Sequence, residues 1–183
     1  MRGGQPLIQP ISFDCKAGSY IQLRGPNGIG KSTFLRHIAG LAPFDEGRFL
    51  LDGEAFRPHH EETDFTLCYL GHRDGFHPDL TGLENLALLG AKLPAALQNE
   101  PVYHRQVHSY SAGQRQYLNL LTLDDSADLW LLDEPAVSLD ASNLAILEER
   151  IATFLTAGGR VTVATHTAIA EALVSQCLTL EAA

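Results

Sequence analysis

Short apolar runs recur along the chain between longer stretches in which apolar residues return every three or four positions. YIQL (20–23), FLL (49–51), FTLCYL (65–70), LWLLD (129–133), VTVAT (161–165) and CLTL (177–180) are rich in β-branched, leucine and aromatic residues and read as buried strands. Lys31–Leu41, a segment over about 140–157 and another from about 167 carry the helical period. Strands interleaved this closely with helices predict an α/β domain with a largely parallel sheet.

Residues 81 to about 124 break that rhythm, with no run that reads as a strand. Thr81-Gly82-Leu83-Glu84 and Ser111-Ala112-Gly113-Gln114 both have the capping-box spacing, a hydroxyl followed three residues later by Glu or Gln, so each predicts a helix start. Between them KLPAALQNEPVYHRQ (92–106) has two prolines and weak periodicity and reads as a loop or a short broken helix. The expectation is one domain over residues 1–183, its α/β core interrupted by a short helical subdomain at about 76–124.

Composition narrows the classes. A chain of 183 residues can bury a core without staples, and its three cysteines, Cys15, Cys68 and Cys177, are widely spaced with no zinc-type pairing, which fits free thiols in a reducing compartment. The formal net charge of −9 disfavours a protein whose main task is holding phosphodiester backbones, so no nucleic-acid partner is expected. No apolar stretch is long enough to span a bilayer, so no direct membrane insertion is expected and any membrane role needs a partner.

Two segments carry chemistry. GPNGIGKST (Gly25, Pro26, Asn27, Gly28, Ile29, Gly30, Lys31, Ser32, Thr33) follows a predicted strand and opens a predicted helix, which is the context that the G-x-x-x-x-G-K-[ST] spacing requires. Its backbone N–H groups and the helix N-terminus suit phosphate oxygens; Lys31 suits the β and γ phosphates and Ser32 suits Mg²⁺. LWLLDEP (129–135) is a buried strand that ends in two carboxylates: Asp133 is placed for the Mg²⁺ shell and Glu134 to polarise an attacking water. A third segment, CYLGHRDGF (68–76), breaks from an apolar run into His72, and alone leaves open a catalytic histidine, a metal ligand or an ordinary turn.

Together with YSAGQ (110–114), SLD (138–140) and His166 after VTVAT, in this order, these motifs resemble the ATP-binding cassette (ABC) ATPases, and the resemblance covers the chain from Gly3 to about Leu180. It implies a P-loop NTPase fold of the ABC type that hydrolyses ATP with Mg²⁺. It further implies that Ser111, Gly113 and Gln114 form the signature facing the γ-phosphate bound to a second copy of the chain, that Asp140 links the two sites across this ATP-sandwich dimer, and that His166 contacts the γ-phosphate. Ser111 also reads from the residues alone as a helix cap whose N–H groups favour an anion.

Counting back from LTGLENL, His72 falls where most of the family has a glutamine that touches Mg²⁺ and the lytic water and relays nucleotide state to the membrane partner. One branch is similar here: the ATP-binding subunits of haem exporters in bacterial cytochrome c maturation pair L-G-H-x-x-G (Leu70 to Gly75) with L-T-x-L-E-N-L (Leu80 to Leu86) and S-A-G-Q (Ser111 to Gln114). The resemblance implies an integral membrane permease as partner, docked on the helical subdomain, and a peripheral location on the cytoplasmic face of the inner membrane. The alternatives are the ATPase of another small exporter and a soluble or regulatory cassette not coupled to transport. Three departures stand out: the family's first strand would precede residue 1, Arg2 stands where an adenine-stacking aromatic is usual, and Tyr117 and Thr122 replace arginines after the signature.

Overall fold

A computed structural model describes residues 9–43, 47–51, 54–56 and 64–182, so Arg2 lies outside the described residues. Its main sheet has five strands, Tyr20–Arg24 (β1), Leu67–Leu70 (β4), Leu129–Asp133 (β5), Arg160–Ala164 (β6) and Gln176–Thr179 (β7), in the order β4-β5-β6-β1-β7. Every neighbouring pair is parallel, with Leu70 opposite Leu132, Asp133 opposite Ala164 and Leu23 also opposite Ala164. Strands buried on both faces of a parallel sheet need no polar alternation, which is why LWLLD is apolar almost throughout and buried at all five positions.

The two-residue period of a strand sends alternate side chains to opposite faces. Trp130, Leu132, Tyr20, Val161 and Val163 pack on one side against Leu147, Ile151 and Phe154 of the helix Ala141–Thr156 (α4). Leu129, Leu131, Ile21 and Leu23 pack on the other against Phe34, Leu35 and Ile38 of the helix Lys31–Ile38 (α1). Trp130 is fully buried and stacked on Phe154, with ring centroids 3.9 Å apart and planes 4° from parallel; the Arg150 guanidinium also lies over the indole, 5.4 Å from its centroid. Arg150 also donates to the carbonyls of Leu120 and Leu123 at 2.7 and 3.2 Å and to Asp125 at 2.6 Å, which ties α4 to the segment that follows the helix Ala112–Leu120 (α3).

Residues 76–124 contain Gly82–Leu88 (α2), α3 and three single 3₁₀ turns: Ala95–Leu97 and Pro101–His104, where the sequence reads as loop or broken helix, and Val107–Ser109 just after it. Both capping boxes form: Thr81 accepts from Glu84 N–H and Ser111 from Gln114 N–H, each returned by the partner side chain. Leu86, Leu93, Tyr103, Val107, Tyr110 and Leu118 make a separate apolar cluster under these turns.

Two expectations are corrected. FLL forms Phe49–Leu51 (β2), but it leaves the parallel rhythm and pairs antiparallel with Glu54–Phe56 (β3), a strand the periodicity does not flag. The helix from about 167 does not form. Side chains take over the backbone there, Thr165 Oγ1 accepting the Thr167 N–H at 3.0 Å, and the only helical piece before β7 is a 3₁₀ turn at Glu171–Leu173.

Candidate functional site

Parallel pairing puts the carboxyl ends of β1, β4, β5 and β6 on one edge of the sheet, where ligands of open α/β sheets bind. That edge therefore collects the loop after Arg24, His72 after Leu70, Glu134 after Asp133, and His166 after Ala164. His72 is exposed there.

The Gly25–Gly30 loop is braced from within. Lys31, 7% exposed, donates its Nζ–H to the carbonyls of Gly25 and Pro26 at 2.8 and 3.4 Å, and Ile29 N–H donates to Pro26 O. Gly25 has φ 147°, and a Cβ there would lie 2.9 Å from the Leu180 carbonyl oxygen, so no side chain fits. Gly30 starts α1 in a left-handed conformation without a side-chain cap, which leaves the first-turn N–H groups of Lys31, Ser32 and Thr33 without intrahelical acceptors and ready for an anion.

Asp133 closes β5 at 3% exposure, and its Oδ2 is buried with no hydrogen-bond partner. A buried, unpaired carboxylate oxygen is costly unless a cation or donor meets it. Asp133, with the Ser32 hydroxyl in the first turn of α1, could hold a hard divalent cation such as Mg²⁺, which is bound by one or two protein oxygens and substrate phosphates.

Glu134 takes φ 52°, a strained value for a side chain of its size, and donates its N–H to Ala164 O at 2.8 Å. Its carboxylate is gripped twice by the same residue: His166 Nδ1 lies 3.0 Å from Oε1, and His166 backbone N–H donates to Oε2 at 3.4 Å. The His166 side chain of this pair is 62% exposed and that of Glu134 14%.

Ser111, Gly113, Gln114 and Asp140 do not join that edge. With Val102, Tyr103, Tyr110, Ser138 and Asn143 they line a separate groove that contains no residue of the Gly25–Thr33 loop, Asp133, Glu134 or His166. Gly113 is required there because a Cβ would lie 2.8 Å from Ser138 O. Asp140 caps α4, accepting from Asn143 N–H at 2.8 Å and Ser142 Oγ–H at 2.8 Å; these bonds, the Asn143 N–H first, hold its carboxyl below the usual range. Gln116 of α3 donates to Pro135 O at 2.8 Å, so the groove and the Glu134 loop are tied together in one chain.

Sequence reasoning misses Gln116 and Glu148, whose partners are 19 and 22 residues away. The usable signal is weak: Glu148 flanks the buried stripe Leu147, Ile151, Phe154 and Leu155 of α4.

Known proteins bear on this geometry. The chain is 37% identical to the cytochrome c biogenesis ATP-binding export protein of Paracoccus denitrificans, over 90% of this chain and 78% of that one. It is 38% identical to the protein of the same name from Xanthomonas campestris, over all of this chain and 90% of that one. A bacterial ABC transporter cassette solved as a dimer superposes with a TM-score of 0.75 at 20% identity, covering all of this chain and 94% of the other, which speaks to the fold. Residues 8–137 match the ABC transporter family, a span that holds the phosphate loop, the signature and both strand-end carboxylates, and the chain belongs to that family.

Proposed function

We propose that this chain is the ATP-hydrolysing subunit of a membrane exporter, the haem exporter of cytochrome c maturation. We also read it as a single nucleotide-binding domain over residues 1–183, with residues 76–124 as its helical subdomain. The observation that carries the hydrolytic reading is the Glu134 carboxylate, held by His166 Nδ1 at 3.0 Å on the sheet edge that also bears the phosphate loop. The export reading is supported by the relatives at 37 and 38% identity, both cytochrome c biogenesis ATP-binding export proteins.

In this reading Gly25–Thr33 wrap the phosphates of ATP, and Lys31 exchanges its internal carbonyl acceptors for phosphate oxygens. Ser32 and Asp133 hold Mg²⁺, which supplies charge stabilisation when bound. Glu134 accepts a proton from the attacking water, and His166, beside that carboxylate, contacts the γ-phosphate. His72, exposed at the end of β4, senses the occupied site.

The signature groove lies apart from the phosphate loop of its own chain, so a complete site takes two copies head to tail, with Ser111, Gly113 and Gln114 of one copy closing over the ATP of the other and Asp140 linking the sites. Differential affinity of the open and closed dimer for ATP performs the work. Among the described residues no helix is long and apolar enough to cross a membrane. In this reading, which rests on the family resemblance, an integral permease docks on the helical subdomain and holds the dimer at the cytoplasmic face of the inner membrane.

The test is to trap Glu134→Gln with ATP in native membranes, purify it and identify its companions. An ATP-dependent dimer bound to a permease and haem-handling membrane proteins is the expected result. A variant that stays monomeric with ATP would overturn the mechanism, and an ATP-bound dimer with no membrane partner would overturn the transport assignment.

A further inference from the structure

His166 sits on a loop that forgoes the helix its sequence predicts, and something else must fix its path. Ala170, four residues on, takes φ 45°, a left-handed value that its side chain disfavours. Its N–H is donated to Glu148 Oε1 at 2.7 Å, from the middle of α4. The neighbouring Ile169 is fully buried, and its carbonyl accepts the hydroxyl of the buried Tyr20 at 3.0 Å. Thr165 Oγ1 closes the near end of the loop by donating to Thr167 O at 3.2 Å. The backbone of 165–170 is thus held by side chains from β1 and α4 and by Thr165 just after β6.

Of these anchors Glu148 is the one that holds the unfavourable residue, and a carboxylate acceptor gives a backbone N–H its stronger kind of bond. Glu148 also lies two turns along the helix that Asp140 caps, about 12 Å from it, so one rigid element joins that cap to the His166 loop.

We propose that Glu148 is a positioning residue for His166: through the Ala170 N–H it sets the loop conformation in which His166 presents Nδ1 and its backbone N–H to Glu134. The inference rests on the hydrolytic reading above. In the full chain with ATP and Mg²⁺, Glu148→Ala lowers kcat about tenfold while KM and separately measured ATP affinity stay within about twofold. Hydrogen exchange at the Ala170 amide speeds up by a similar factor. Glu148→Gln keeps an amide oxygen that accepts the same N–H, and recovers at least about half of wild-type kcat and the slow exchange. If Glu148→Ala does not fold, Glu148→Asp, which draws the acceptor back by one methylene, is read in its place.

Wild-type kcat in Glu148→Ala or Glu148→Asp, alongside an inactive His166→Ala, would overturn the inference and leave the hydrolytic reading standing. So would a Glu148→Gln as slow as the alanine variant. A wild-type chain that releases no phosphate from ATP would overturn both.

Discussion

Replacing Asp133 by asparagine should make the nucleotide-free protein harder to melt and the nucleotide-bound protein easier to melt. Asp133 is 3% exposed and its Oδ2 is buried without a hydrogen-bond partner, so the fold carries a carboxyl acceptor removed from solvent. Leaving such a group unpaired costs roughly 1–3 kcal/mol. Asparagine keeps the shape and removes the charge but still buries an amide, so the net gain is about 1 kcal/mol. For a domain of this size that raises the melting midpoint by about 2–4 °C. Ligand at a hundred times its dissociation constant adds about 2.7 kcal/mol to the wild type, and the variant, lacking the carboxylate proposed for Mg²⁺, loses most of the Mg²⁺-dependent share. Scanning fluorimetry without ligand, with ATP and EDTA, and with ATP and Mg²⁺ reads all three states. The expected signature is a crossing: variant above wild type without ligand, below it with Mg²⁺ and ATP. An unliganded variant that melts below wild type, or an equal Mg²⁺-ATP shift in both proteins, would refute the argument.

Two further outcomes follow from close contacts and caps. Gly113→Ala places a methyl group 2.8 Å from Ser138 O, backbone that cannot swing away, and should destabilise the protein by about 1–3 kcal/mol in urea while reducing ATP-dependent dimerisation in the Glu134→Gln background. Asp140, whose carboxyl is held low by Asn143 N–H and Ser142, contributes stability that is present above the ordinary carboxylate pKa and lost as pH falls through the depressed folded value; Asp140→Asn should therefore flatten part of the acid limb below the ordinary carboxylate pKa in a thermal-midpoint profile.

The parts of the molecule that were legible in sequence are those whose signal is local. The phosphate loop needs its spacing and one strand and helix beside it, and the caps at Thr81 and Ser111 are closed within four residues. LWLLD announces its two-sided burial by composition. What was not legible depends on distant partners. THTAIAEALV (165–174) has helical composition, yet Tyr20, 149 residues away, and Glu148, 22 away, claim its backbone and the helix is lost. β3 is three residues long and takes its identity from β2, and FTLCYL contributes only Leu67–Leu70 because Asp128 captures the Thr66 N–H and hydroxyl just ahead of the strand. At the site, His166 and Glu134 stood in sequence as separate motifs; their mutual grip comes from the register that sets Asp133 opposite Ala164.

The chain has one tryptophan, and the fold has put it in an informative place. Trp130 contacts both the stacked Phe154 ring and the Arg150 guanidinium, and Arg150 reaches from there to the carbonyls that end the signature helix. A sealed indole emits at shorter wavelength than a hydrated one, and a cation over its ring alters its brightness. A shift of α3 against α4 strains the Arg150 bonds that join them beside the indole, so the protein carries its own optical gauge of that contact, readable in solution without a dye.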